Sequence, residues 1–196
     1  MISLCLGTAG FFLYLLYDIN SFKWQHSLPR SFFMLGTLLV GAATLLDLHT
    51  AIMMHAFSGI ADVLLLIGGI LCFAALIYCL FFALPFKATY TEQTNDRRVY
   101  DGGVYALCRH PGILCFFGMY LLLGAAALPS DLLMHGMAFS LMNLAYAWFQ
   151  DRITFPRTFC DYEAYQKKIP FLIPTGESIR LAVETIHIPG GEEDDT

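Results

Sequence analysis

Apolar stretches of helix-spanning length recur along this chain, separated by short polar breaks. They cover roughly Ile2–Ile19, Ser31–His55, Ile60–Phe86, Gly112–Leu128 and Leu132–Gln150. Each is close to the ~17–25 residues that carry an α-helix across a hydrocarbon core about 30 Å thick. The pattern predicts an all-α, polytopic membrane protein with about five transmembrane helices. No basic residue precedes the first stretch and no small-residue cleavage site follows it, so it reads as a retained helix. Gly36, Gly41, Gly68 and Gly69 lie in the second and third stretches, where small residues let helices approach closely in lipid. Residues 1–86 therefore read as a three-helix scaffold. The polar content sits in the second half: a loop at 87–110, a tight helical hairpin at 112–150 and a C-terminal region from 151 on. Residues 87–174 form the candidate functional region and 175–196 a tail, all within one structural domain.

The hairpin decides which residues meet. Its first arm, about 17 residues, runs roughly 26 Å at 1.5 Å per residue, and the second returns over about 19 residues. Pro129, Ser130 and Asp131 make the turn. His110 and Asp151 are thus expected at the same end of the bundle although about 40 positions separate them. Beyond Asp151, the aromatics Phe155, Phe159, Tyr162 and Tyr165 follow helical spacing, as an interfacial helix would. Pro156 either kinks that helix or marks its start. Pro170 and Pro174 turn the chain into an extended exit, and Ser178–Ile188 carries a weak further helical signal.

Composition agrees with a bilayer environment. Hydrophobic residues make up 57% of the chain, aromatic residues 15% and charged residues 14%. Mean hydropathy is +0.60. Soluble domains carry about 25% charged residues. The net charge of −5 says little, because four of the sixteen acidic residues lie in the closing GGEEDDT, which reads as a solvated, disordered end. The basic residues are more telling. Lys23 and Arg30 fall between stretches one and two, and Lys87, Arg97, Arg98 and Arg109 between three and four. Arg152, Arg157, Lys167, Lys168 and Arg180 follow stretch five. Five crossings put all of them on one side, the cytoplasmic side by the positive-inside rule, with the N-terminus outside and the C-terminus inside. The expected location is a multi-pass membrane protein of a prokaryotic plasma membrane or a eukaryotic endoplasmic reticulum. The cysteines Cys5, Cys72, Cys79, Cys108, Cys115 and Cys160 form no Cys-x-x-Cys pair and no zinc-spaced cluster, so they are expected to be reduced and structural. Neither a metal nor a nucleic acid is an expected partner. Membrane lipids and a hydrophobic, lipid-like molecule are.

Candidate chemistry concentrates where the chain enters and leaves the hairpin. The first group is Tyr100, Gly102, Gly103, Tyr105, Arg109, His110 and Pro111. The glycines permit a tight turn or close ligand approach. Arg109 offers a rigid fork of donors for a carboxylate, His110 can shuttle a proton near neutral pH, and Pro111 suits the first turn of a helix. The bland alternative makes Arg109 a topology anchor and His110 a cap. The second group is Gln150, Asp151 and Arg152. An acid at a helix C-terminus opposes the helix dipole, so Asp151 needs a cation: Arg109, Arg152 or a ligand ammonium. The third group is Asp161, Tyr162, Glu163, Tyr165, Lys167 and Lys168, where aromatic belt and headgroup contacts are the bland alternative. Asp47, in the outer part of stretch two, is expected to bond to His49 or to a neighbouring helix. Asp62 and His135 need no special role.

Two separated pieces then resemble a known family. Gly103-Val104-Tyr105-Ala106-Leu107-Cys108-Arg109-His110-Pro111 looks like the Gly-x-Tyr-x-x-x-Arg-His-Pro motif of the isoprenylcysteine carboxyl methyltransferase family, whose wider superfamily includes phospholipid N-methyltransferases. The run from Phe159 to Pro174 is similar to that family's Phe-Gly-x-x-Tyr-x-x-Tyr-x-x-x-Val-Pro-x-x-x-Pro ending. The resemblance spans about residues 99–174. It implies a membrane methyltransferase using S-adenosylmethionine, with the cofactor enclosed from the cytosolic side and a lipophilic substrate entering from the bilayer. By position, Tyr100, Gly103, Tyr105, His110, Pro111, Gln150, Tyr162 and Tyr165 would bind the cofactor, and Arg109, His110 and Asp151 would form the catalytic set. The pattern is departed from in three places: Ile113 and Cys115 replace the usual Tyr and Gly, Gln150-Asp151 replaces a Glu-Glu pair, and Cys160 replaces the Gly after Phe159. Two other readings fit less of the pattern: a degenerate, non-catalytic membrane scaffold, and an enzyme like the NADPH-dependent sterol reductases.

Overall fold

The structure is a computed structural model that describes residues 1–24, 30–54, 56–57, 59–83 and 97–186. His55, Lys87, the 89–96 part of the polar loop, Ile188 and the acidic tail lie outside them. Among the described residues the chain is all helical. Helix α1 covers Ile2–Ile19 and continues as a wide turn, Asn20–Trp24. Helix α2 covers Arg30–Met53. Helix α3 covers Ile60–Ile77, followed by a wide turn at Tyr78–Phe82. The short α4 is Val104–Leu107, α5 is Pro111–Ala126 and α6 is Leu132–Phe149. A wide turn at Gln150–Thr154 leads directly into α7, Phe155–Thr158. Tyr162–Lys168 forms α8 and Gly176–Ile186 forms α9.

Four apolar helices are long enough to cross a membrane: Ile2–Ile19, Ser31–Met53, Ile60–Phe82 and Leu132–Thr158. The fourth expected stretch, Gly112–Leu128, emerges instead as the shorter apolar α5. Its ends explain the length. Pro111 begins it at a position where no backbone donor is needed, and Pro129 bars continuation past the turn. The last apolar helix is longer than expected, because the polar Gln150-Asp151-Arg152 step does not end it: Asp151 turns inward and is buried, while Arg152 faces out.

α1 lies between α2 and α6, and α5 lies between α3 and α6. Their shared core is aromatic: Phe11, Tyr120 and Phe139 are buried together with Met119 and Leu132. Tyr120 and Phe139 meet edge to face, 5.8 Å between centroids. The outward side chains are as apolar as the core. Leu38, Leu45, Leu64, Leu71 and Phe82 are all exposed, a surface stable only against an apolar solvent such as lipid. In lipid, close backbone approach replaces hydrophobic exclusion as the packing force. Gly10 and Gly36 supply it between α1 and α2: a Cβ on either would lie 2.8 Å from the other's carbonyl oxygen. Of the other expected contact glycines, Gly69 abuts Leu123 and Gly68 abuts Leu122, whereas Gly41 faces open space.

Two polar bonds cross the bundle at the far end from the candidate site. Asp47 bonds not to His49 but to His135 of α6, Oδ2 to Nδ1 at 2.9 Å, both buried. His135, expected to need no role, is therefore the partner that makes an intramembrane acid tolerable. Thr44 and Tyr120 share a hydroxyl–hydroxyl bond nearby.

Candidate active site

Local geometry aims the Arg109-His110-Pro111 step inward. Gly103 takes φ +57°, a conformation that L side chains rarely adopt, and its N–H is received by Thr185 Oγ1 at 2.9 Å. The chain makes one turn of α4, extends at Cys108 and re-enters helix at Pro111. The Arg109 backbone N–H donates to Pro170 O at 2.9 Å, tying the loop to the C-terminal region.

The carboxylate of Asp151 is the hub. It is 2% exposed. Arg109 grips it with two bonds, Nε to Oδ1 at 2.8 Å and Nη2 to Oδ2 at 3.1 Å. Tyr162 donates its hydroxyl to Oδ1 at 2.7 Å. Gln166 Nε2 donates to Oδ2 at 3.0 Å and to the Asp151 backbone carbonyl at 2.9 Å. His110 Nε2 stands 3.4 Å from Oδ1. The second terminal nitrogen of Arg109, Nη1, donates to Gln166 O at 2.9 Å and Ile169 O at 2.7 Å, while its guanidinium lies over the Phe171 ring. Buried charges require this density of partners, since an unpaired one costs several kcal/mol.

His110 packs between aromatic rings. It stacks on Phe155, with centroids 5.9 Å apart and planes 14° apart, and meets Phe171 at 4.9 Å. The nearby carboxylate favours a proton on Nε2, which leaves the Nδ1 lone pair available. Nδ1 has no hydrogen-bond partner among the described residues. It is the open valence of the cluster.

A second layer runs through tyrosines. Tyr165 donates to Tyr105 O at 2.7 Å, and Tyr105 donates to Cys79 O at 2.9 Å, linking α8, α4 and the end of α3. Burial, reinforced by the Asp151 carboxylate, pushes the Tyr162 hydroxyl well above its ordinary range. Burial, followed by the neighbouring Tyr105, does the same to Tyr165. Both therefore remain donors across the physiological range. Burial also pushes the Cys108 thiol up to about 11. All six cysteines are free.

Arg109, His110, Asp151 and Tyr162 thus converge in one cluster, with Pro111 buried beside it at the start of α5. Tyr105, Tyr165 and Gly103 belong to the adjoining layer. Tyr100 does not join them: it is 37% exposed and its hydroxyl packs over Gly102. Gln150 points to the other face of its turn, where Nε2 donates to Tyr146 at 3.0 Å. The expected aromatic stripe is broken at Phe159–Asp161, because Asp161 turns the chain and accepts the Val99 N–H at 2.9 Å. Its rings still touch: Phe155–Tyr162 at 5.5 Å and Tyr162–Tyr165 at 5.8 Å. Sequence reasoning assigned no role to Gln166 or Phe171, although both lie in the quoted ending. It also passed over Asp18, whose place near the end of an apolar run was the available signal.

The ring faces of Phe155 and Phe171 around His110 are of the kind a sulfonium or ammonium would pack on. The Asp151 carboxylate beside them is already paired with Arg109, and the Arg109 fork is engaged with Asp151 and two carbonyls, so neither charge is free for a bound group. Among the described residues no group of three or more metal-ligating side chains is assembled. No family model, no curated protein and no solved structure matches this chain.

Proposed function

We propose that this chain is an integral membrane methyltransferase that uses S-adenosylmethionine and takes a lipophilic acceptor from the bilayer. In this reading α5 completes a fifth crossing, the N-terminus is outside, and the Arg109–Asp151 cluster faces the cytoplasm with the basic residues. The observation that supports it most is the buried convergence of Arg109 and His110 with Asp151 and Tyr162, from two pieces of sequence on either side of a helical hairpin. Those pieces carry the resemblance described above.

When bound, S-adenosylmethionine supplies an electrophilic methyl group. His110, Pro111, Tyr162 and the second-layer Tyr105 and Tyr165 would hold it. His110 Nδ1 accepts a proton from an amine or thiol acceptor. Asp151 keeps that ring in the useful tautomer and orientation, and Arg109, Tyr162 and Gln166 keep Asp151 in place. Phe155 and Phe171 exclude water from the ring. Transfer by in-line displacement asks mainly for such positioning.

A second reading is favoured by one observation: Arg109 and Asp151 satisfy each other, as in a purely structural brace. It makes the chain a non-catalytic membrane scaffold. Titration of the purified protein in detergent separates the two. Saturable binding of S-adenosylmethionine, with none of NADPH, is expected. No binding of S-adenosylmethionine at millimolar concentration would remove the methyltransferase reading.

A further inference from the structure

The C-terminal helix α9 has three faces of different character. Its inner face is buried against the candidate site: Ser178 is 1% and Ala182 4% exposed, and Leu181 packs on the cluster of Tyr162, Tyr165 and Ile169. Thr185, on the same face, receives the Gly103 N–H. A second face is charged. Glu177, Arg180 and Glu184 are exposed there, and Arg180 pairs with Glu184 at 3.1 Å. The third face is apolar yet turned outward: Ile179 is 48% and Val183 55% exposed, one helical turn apart. A helix resting on protein in water needs only an apolar inner face and a polar outer one. Three faces match a helix that touches protein, lipid and water at once. Its depth agrees. α9 packs on α4, and Tyr105 of α4 donates to Cys79 O, inside the apolar span Ile60–Phe82. Through these contacts α9 is held near the last turn of that span, where Tyr78, Phe81 and Phe82 are exposed.

We infer that α9 is a peripheral membrane helix, lying in the headgroup layer of the bilayer around this bundle with Ile179 and Val183 at the acyl boundary. The occupant of that face is lipid, and apolar contact holds it: the charged face carries two acids against one base, so it adds no attraction to anionic headgroups. The consequence falls on the candidate site. Thr185 ties α9 to Gly103, whose φ of +57° starts the turn that delivers Arg109 and His110. Lipid contact on α9 thus braces that turn from outside. The inference requires only a bilayer around the bundle, so it stands or falls apart from S-adenosylmethionine binding.

Spin labels on the full chain in phosphatidylcholine nanodiscs decide it. The exposed Cys5 and Cys160 are replaced by serine, and the signal of that parent is subtracted. Labels go singly onto Ile179→Cys, Val183→Cys, Arg180→Cys and Glu184→Cys, all at exposed positions. Collision rates are compared for oxygen, which concentrates among acyl chains, and for a water-soluble nickel chelate. The oxygen-to-nickel ratio is expected to be about tenfold higher at 179 and 183 than at 180 and 184, as for a helix sunk to the headgroup–acyl boundary. Equal ratios at the four positions would overturn the inference. Low collision rates with both reagents at 179 and 183 would also overturn it, because a second copy or another segment of the chain would then cover the face. The brace on Gly103 is read by hydrogen exchange of the peptide that contains it. Val183→Glu is expected to speed that exchange about tenfold in nanodiscs, by lifting the apolar face out of the boundary, whereas Glu184→Gln should leave it unchanged. Wild-type exchange in Val183→Glu would show that protein contacts alone hold α9, and would remove the brace.

Discussion

Asp151 accepts side-chain bonds from Arg109, Tyr162 and Gln166, and no single one of those residues can be lost without leaving buried charge exposed to a poor dielectric. Arg109→Ala is expected to destabilise the protein by roughly 3–5 kcal/mol, measured by thermal unfolding in detergent. The double variant with Asp151→Ala should cost clearly less than the sum of the two single changes, because the partners share one interaction. His110→Ala should behave oppositely. It removes the open Nδ1 but none of the strong bonds to Asp151, so it should leave folding nearly intact while abolishing S-adenosylmethionine binding; normal binding in that variant would misplace the site. Much of this cluster was legible from sequence, because the polar residues stand out against apolar flanks and a short hairpin has only one way to close. Asp18 with Thr154, and Asp47 with His135, were not. Those pairs join residues 136 and 88 positions apart on different helices, and no local spacing encodes which helices become neighbours.

At the scale of elements, the scaffold depends on how closely α1 and α2 can run. Gly36→Leu should force the helices apart, since its Cβ would meet both the Gly10 carbonyl and the Tyr14 ring. The expected result is a clear loss of thermal stability, whereas Gly41→Leu, with open space around it, should change little. Gly103→Ala tests the other special backbone position. Its φ of +57° should cost about 1–2 kcal/mol in an L residue, loosening α4 and the bond to Thr185. The apolar runs located α1, α2, α3 and α6 well. They overran α5 by two residues, since that helix ends at Ala126, ahead of the Pro129 turn. α9 carried little apolar signal, but Thr175 and Ser178 exchange capping bonds that start it: Ser178 N–H to Thr175 Oγ1 at 3.2 Å and Thr175 N–H to Ser178 Oγ at 2.9 Å. A hydroxyl three residues before another was the cue to read there.

For the whole molecule, orientation in the bilayer is the decisive test. With the exposed Cys5 and Cys160 replaced by serine, Asp131→Cys should react with an impermeant thiol reagent on intact cells. Glu163→Cys should react only after permeabilisation. The reverse pattern would place the His110 cluster on the wrong side for a cytosolic cofactor. The Asp151 hub also has a consequence for how the chain is made. Its donors come from both sides of the hairpin: Arg109 is synthesised long before it, but Tyr162 and Gln166 come after. While the ribosome is still completing α6, the carboxylate lacks its later partners. A transcript with a stop codon ahead of Tyr162 therefore yields a chain in which the buried acid of the turn after α6 lacks two of its side-chain donors.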